Sequence, residues 1–244
     1  MKRVLISAIF LFSLFRLSAE ETPGNRFVFA VLRHDGTWDP YGDLWPEMAE
    51  KLDRTTSIRP WTSRRILEAR DPALLETPFL VLTGRGAVSF SDEEIARLRD
   101  WISDGGFLLV DNVEASRGGA FARSVDALPA RFFPGAAWRE IPPDNAVFRS
   151  FFLLRGASGR RMASETLKGL WVGDRLAAVY SANDLQGAWV RSPAGGWLFP
   201  CEPGGEPQRW EAQKLFMNLV MFSLTGTYKT DAIHQEYLKR KLEP

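Results

Sequence analysis

Five carboxylates, Asp35, Asp39, Asp111, Glu114 and Asp184, fall at expected strand ends or in loops. Two such groups with differently shifted pKa values suffice for general acid and base work. Asp also caps turns and helices throughout α/β proteins, and that structural role competes for the same residues. A histidine base is restricted to His34, beside Asp35 in a polar segment, and His234 in a charged tail. No Gly-x-Ser-x-Gly elbow accompanies them, so a serine triad is not expected. Gly84-Arg85-Gly86 follows an apolar run, as an anion-binding loop would, but Ser89 stands where a dinucleotide fingerprint needs its third glycine, and Gly-Lys-Ser/Thr is absent. A nucleotide is therefore not expected, while Arg85 is still able to hold an anion. The two histidines and the single cysteine lie far apart without ligand spacing, and nothing signals an all-carboxylate metal site. The candidate ligand-binding set is Arg33, Asp35, Trp38, Thr83, Gly84, Arg85, Asp111, Asn112 and Asp184. No catalytic residue, metal or cofactor is assigned.

These residues depend on one stretch above all, Thr77 to Val113. Phe79 to Leu82 is a short apolar run suited to a strand buried on both faces. Ser91 and Glu94 have capping-box spacing, and Asp92, Glu93 and Glu94 put negative charge at a helix start. Ile95, Leu98 and Ile102 form the apolar stripe, and Gly105 stops the helix before a second buried strand, Phe107 to Val110. The result is a βαβ unit, which implies a parallel sheet with both faces covered. Parallel strands end on one side, so Arg33 and Asp35, Thr83 and Arg85, and Asp111 are expected to face a shared crevice, with Asp184 as an addition.

Around this unit the pattern predicts a first strand over Phe27 to Leu32, followed by a helix capped by Asp43 and carrying Leu44, Met48, Ala49 and Leu52. A short strand near Ile58 and a helical turn after Asp71-Pro72 come next. One helix is expected through Phe121, Val125 and Leu128, stopped by Pro129 and Pro134, and a short one over Ala146 to Phe152. Leu167 to Trp171 and Leu176 to Tyr180 flank a tight turn at Gly173-Asp174. Residues 181–206 read as a long loop or small excursion, and 208–224 as a core-facing helix.

Charge and ends bound the rest. Lys+Arg number 31 against 30 Asp+Glu, a net +1 without a basic tract, which excludes a nucleic-acid footprint. Residues 1–19 combine Lys2 and Arg3, an apolar run and Ser18-Ala19, the pattern of a secretory signal; the alternative is an uncleaved inner-membrane anchor. The run is shorter than the roughly 20 residues a bilayer span needs. Cys201 is the only cysteine, so no internal disulfide is available, and a buried free thiol is expected. A single exported α/β domain over residues 20–244, with a charged tail from about 230, is the working organisation.

Five motifs in order carry a resemblance: Phe29-x-x-Leu32-Arg33-x-Asp35-Gly36-x-Trp38, Pro78-Phe79-Leu80-x-Leu82-Thr83-Gly84, Gly105-Gly106-Phe107-Leu108-x-x-Asp111, Phe148-Arg149-Ser150-Phe151, and Gly173-Asp174-Arg175-Leu176-Ala177-x-x-Tyr180-Ser181-x-Asn183-Asp184. Together they resemble the bacterial family called domain of unknown function 4159. The resemblance implies a three-layer sandwich with a mostly parallel sheet, class I glutamine amidotransferase-like and flavodoxin-like. Amidotransferase chemistry needs a cysteine on the turn after a strand, and the comparable strand end here, Asp111-Asn112-Val113-Glu114, has none. Members often have His where this chain has Arg85. The resemblance also implies cell-envelope partners of the von Willebrand factor A and MoxR-ATPase types. The expectation is a non-catalytic exported domain that binds a ligand or envelope partner at the carboxyl edge of its sheet. The rivals are a carboxylate hydrolase of envelope glycan or amide bonds, using Asp111 or Asp184, and a structural subunit of an envelope complex.

Overall fold

The computed structural model describes residues 26–42 and 44–229, with side chains through residue 225. The expected signal, the proposed cap Asp43, His234 and the charged tail lie outside the described residues. Strands β1 (Ala30–Leu32), β2 (Arg65–Leu67), β3 (Phe79–Gly84), β4 (Phe107–Asn112), β5 (Arg139–Glu140), β6 (Lys168–Val172) and β7 (Arg175–Ser181) build one sheet. Their order is β2-β1-β3-β4-β7-β6-β5, and only β6 runs against its neighbours. The chain is therefore an α/β protein with a mixed, mostly parallel sheet.

Helices α1 (Trp45–Thr55) and α5 (Gly205–Lys229) cover one face. Helices α2 (Asp92–Ser103), α3 (Ala120–Asp126) and α4 (Leu128–Phe132) cover the other. Strand alternation divides the core accordingly: Phe79 and Val81 of β3 face α1 and α5, while Leu80 and Leu82 face α2. The βαβ unit forms as its sequence requires. Ser91 accepts from Glu94 N and Glu94 returns a bond to Ser91 N at 2.8 Å, closing the capping box. Gly105 adopts φ +112°, open to glycine and unfavourable for residues with a Cβ.

Four expectations are corrected. The edge strand lies at Arg65–Leu67 rather than near Ile58, where only a Phe27–Pro60 bridge forms. The expected helix 146–152 is a single 3-10 turn, Ala146–Phe148, because the residues after it turn back: Asn218 takes both the N–H and the carbonyl of Phe152, and Leu154 N donates to the Phe148 carbonyl. The helix through Phe121 and Leu128 is two helices broken at Ala127. Pro129 has no N–H for the Val125 carbonyl, which accepts instead from Trp138 Nε1 at 3.0 Å, and this proline opens the first turn of α4 rather than ending a helix. Finally, the first part of the expected loop 181–206 is no open loop: Ser181 closes β7, Gln186–Trp189 forms a 3-10 turn, and all ten residues 181–190 are buried.

Helix α5 runs back along the sheet. At its start, Arg209 donates to the Ala188 carbonyl beside the β7 end, and towards its close Phe222 meets Phe107, the first residue of β4. Both the lead into β1 and the end of α5 therefore lie at the amino edge of the sheet.

Candidate functional site

The strand order places a topological switch between β1 and β3, whose carboxyl ends are the usual position for a ligand crevice. Here the chain itself fills that place. Arg85 N donates to the Thr37 carbonyl at 3.1 Å, so the β1 loop lies across the end of β3. His34 sits between them. Its Nδ1 accepts from Gly36 N at 3.0 Å, which leaves the proton on Nε2 to donate to the Thr83 carbonyl at 2.9 Å. Burial lowers its pKa, against the Thr83 bond and the charge of Asp35, so the imidazole is neutral with both nitrogens engaged. A Cβ on Gly84 would lie 2.8 Å from the Thr37 carbonyl oxygen, so this glycine serves the close approach of the β1 loop.

The backbone N–H groups that would greet an anion are already taken. Gly86 N donates to Glu114 at 2.7 Å, and Ser89 N to Asp35 at 3.1 Å. The Ser89 hydroxyl and the Ser89 N–H, both donating to Asp35, lower its pKa. Asn112 occupies the opposite face of β4, donating to the Ser116 carbonyl at 2.8 Å and accepting from Glu114 N at 3.0 Å.

On the α1/α5 face, Thr83, Asp111 and Ser181 stand side by side at the ends of β3, β4 and β7. The segment 182–190 folds over them. Asp111 accepts from Leu185 N and Gln186 N, both at 2.9 Å, one to each carboxyl oxygen. Asp184, at φ +56°, accepts from Gly187 N at 2.9 Å, from the Tyr41 hydroxyl at 2.7 Å and from Arg160 Nε. Asn183 exchanges two 2.7 Å bonds with the Ser164 backbone. Thus 160–164 and 183–187 are laced together. Asp111 and Asp184 are fully buried, and the Thr83 hydroxyl and Gln186 amide nitrogen beside them have no hydrogen-bond partner.

Two buried carboxylates share one guanidinium. Burial and the Asp184 charge push the Asp111 pKa up to about 8, despite its two backbone donors. Burial raises Asp184 as well, against the opposing pull of Arg160 and Tyr41. Burial opposes the Arg160 charge, yet its bond to Asp184 wins and raises its pKa; burial and Asp184 also keep the Tyr41 phenol protonated.

Of the nine candidates, the structure brings Thr83, Asp111 and Asp184 together, the first two beneath this cover and the third within it. Arg33 and Arg85 lie outside it, exposed, with Arg33 over the Trp38 ring at 5.9 Å and Arg85 over Tyr41 at 5.6 Å. Arg160 and Tyr41 are the partners that sequence reasoning missed. Their bonds to Asp184 span 24 and 143 residues, and no local pattern marks such pairs. Among the described residues no cluster of three or more His, Cys, Asp or Glu could hold a metal, and no helix is long and apolar enough to cross a membrane.

An α/β layer protein with its switch point stitched by its own loops is the class that fold and site define. The family model described as Domain of unknown function (DUF4159) matches residues 28–224, and the chain belongs to that family. No curated protein matches it.

Proposed function

We propose that this domain is a non-catalytic binding module of the cell envelope, which meets a protein partner through the rim of its carboxyl edge, the exposed Arg33 and Arg85 with the half-buried Trp38 beside them. The observation that carries this reading is the burial of Asp111 and Asp184, whose hydrogen bonds all run to the protein's own groups. A hydrolytic pair must reach substrate; these two instead clasp the 182–190 segment. The strand order 2-1-3-4 supports an amidotransferase-like, flavodoxin-like ancestry without its nucleophile. Cys201 does not replace it, because its thiol is buried and burial raises its pKa, the reverse of an activated cysteine.

The test uses a purified von Willebrand factor A-type envelope protein from the same source, the partner type that the family resemblance suggests. Arg33→Glu with Arg85→Glu should weaken binding by at least about tenfold with an unchanged melting temperature. Hydrolysis of an envelope glycan or peptide that is lost in Asp111→Asn or Asp184→Asn at unchanged stability would support the enzyme reading instead.

A further inference from the structure

The motif Phe148-Arg149-Ser150-Phe151 has no part in the carboxyl-edge cluster, yet it is held firmly. Asn218, fully buried on α5, accepts from Phe152 N at 2.7 Å and donates to the Val147 and Phe152 carbonyls at 3.0 and 2.9 Å. The Ser150 hydroxyl donates to the Asn218 carbonyl at 2.7 Å. This clamp fixes a turning segment, closed where Leu154 N donates to the Phe148 carbonyl at 2.8 Å, in which Phe152 and Leu154 pack inward while Phe151 and Leu153 point out, 42% and 87% exposed. Leu153 borders a groove of about 570 Å³ that also contains Met162, itself 37% exposed, and Arg155.

Apolar side chains left in water by a rigid clamp mark an interaction surface more strongly than scattered ones do. Its charge says what fits. Arg149, Arg155 and Arg161 are exposed, lie within two residues of these apolar groups, and form no ion pair among the described residues. The one carboxylate in the groove, Glu211, is already paired with Lys214 at 2.8 Å. We propose that the Phe151–Leu153 ridge and the adjoining groove dock a short acidic amphipathic segment of a partner protein, with apolar side chains in the groove and carboxylates on the three arginines. A groove of this size accommodates a few side chains, which suits a segment rather than a whole subunit face. The inference is independent of the rim at Arg33 and Arg85.

A short fluorescein-labelled peptide alternating leucine and glutamate is the probe, titrated by fluorescence anisotropy. Binding should weaken with added salt and fall by at least about tenfold in Leu153→Glu and in Arg155→Glu. Arg97→Ala, exposed on α2 across the sheet from the groove, should bind as the wild type does, and a peptide with lysine in place of glutamate should not bind. Both substitutions are at exposed side chains, and either one suffices if the other fails to fold. Binding unaffected by both, or equal binding of the lysine peptide, would overturn the proposal. So would self-association in sedimentation that Leu153→Glu abolishes, which would make a second copy the occupant. Binding to phosphatidylglycerol vesicles that the same variant abolishes would assign the ridge to a lipid surface and overturn it equally.

Discussion

Residues 181–190 and 149–162 are both largely irregular backbone, and both are fixed by buried polar side chains from distant parts of the chain. In the first, Asp111 holds the backbone from beneath while Tyr41 and Arg160 grip Asp184 within it, and every residue is buried. In the second, Asn218 does the same service, yet Phe151, Leu153 and Met162 are left in solvent. A buried carboxyl or amide can replace the regular hydrogen-bond ladder as the means of ordering a segment. What differs is the direction of the side chains that the ordered segment displays. One segment closes an edge; the other offers a surface.

The comparison breaks most severely at Asp184. Asp184→Ala leaves the Arg160 guanidinium and Tyr41 hydroxyl without their acceptor and should cost about 3 kcal/mol, read by urea unfolding. Asn218→Ala removes three hydrogen bonds to the 147–152 segment and should cost about 2 kcal/mol, with faster amide exchange confined to that segment. Equal loss of protection at 181–190 would show that the two clamps are not separate.

Asp111→Asn turns one acceptor oxygen into an N–H donor facing a backbone N–H, a further loss of about 2 kcal/mol at low pH, where Asp111 is protonated. Its pH dependence sharpens the point. The Asp111 acid titrates near 8 in the folded state, against about 3.9 when unfolded. The stability it contributes is fully present below about pH 4 and is lost as pH climbs through about 8. His34, held neutral, acts with the opposite sign below about pH 6.5, so the variant must be compared with the wild type at each pH. The wild-type decline between pH 4 and 8 should be flatter in Asp111→Asn. The smallest effect is expected at the displayed ridge: Leu153→Ser should change stability by no more than about 0.5 kcal/mol.

Local order was legible wherever it follows from neighbours in sequence. The capping box at Ser91, the stripe through Ile95 and Ile102, the β3 and β4 runs and the β6–β7 turn all announce themselves within a dozen residues. Residues 181–190 did not, because their order comes from Asp111, Tyr41 and Arg160, each far away in the chain. Asp111 and Asp184 were legible as candidates for a site through their place after strands. Their burial was not, since a carboxylate that binds ligand and one that binds the protein's own backbone occupy the same sequence position.

The path of α5 carries a mechanical consequence. Because it returns along the sheet, the two leads out of the described domain lie on the side away from the carboxyl edge, separated from it by the length of β3 or β4, about 20 Å. A leash attached at either lead, whether a lipid anchor, a resin or a fused reporter, pulls from the rear. The rim bearing Arg33 and Arg85 then stays turned outward and unobstructed, as a fist does on a forearm.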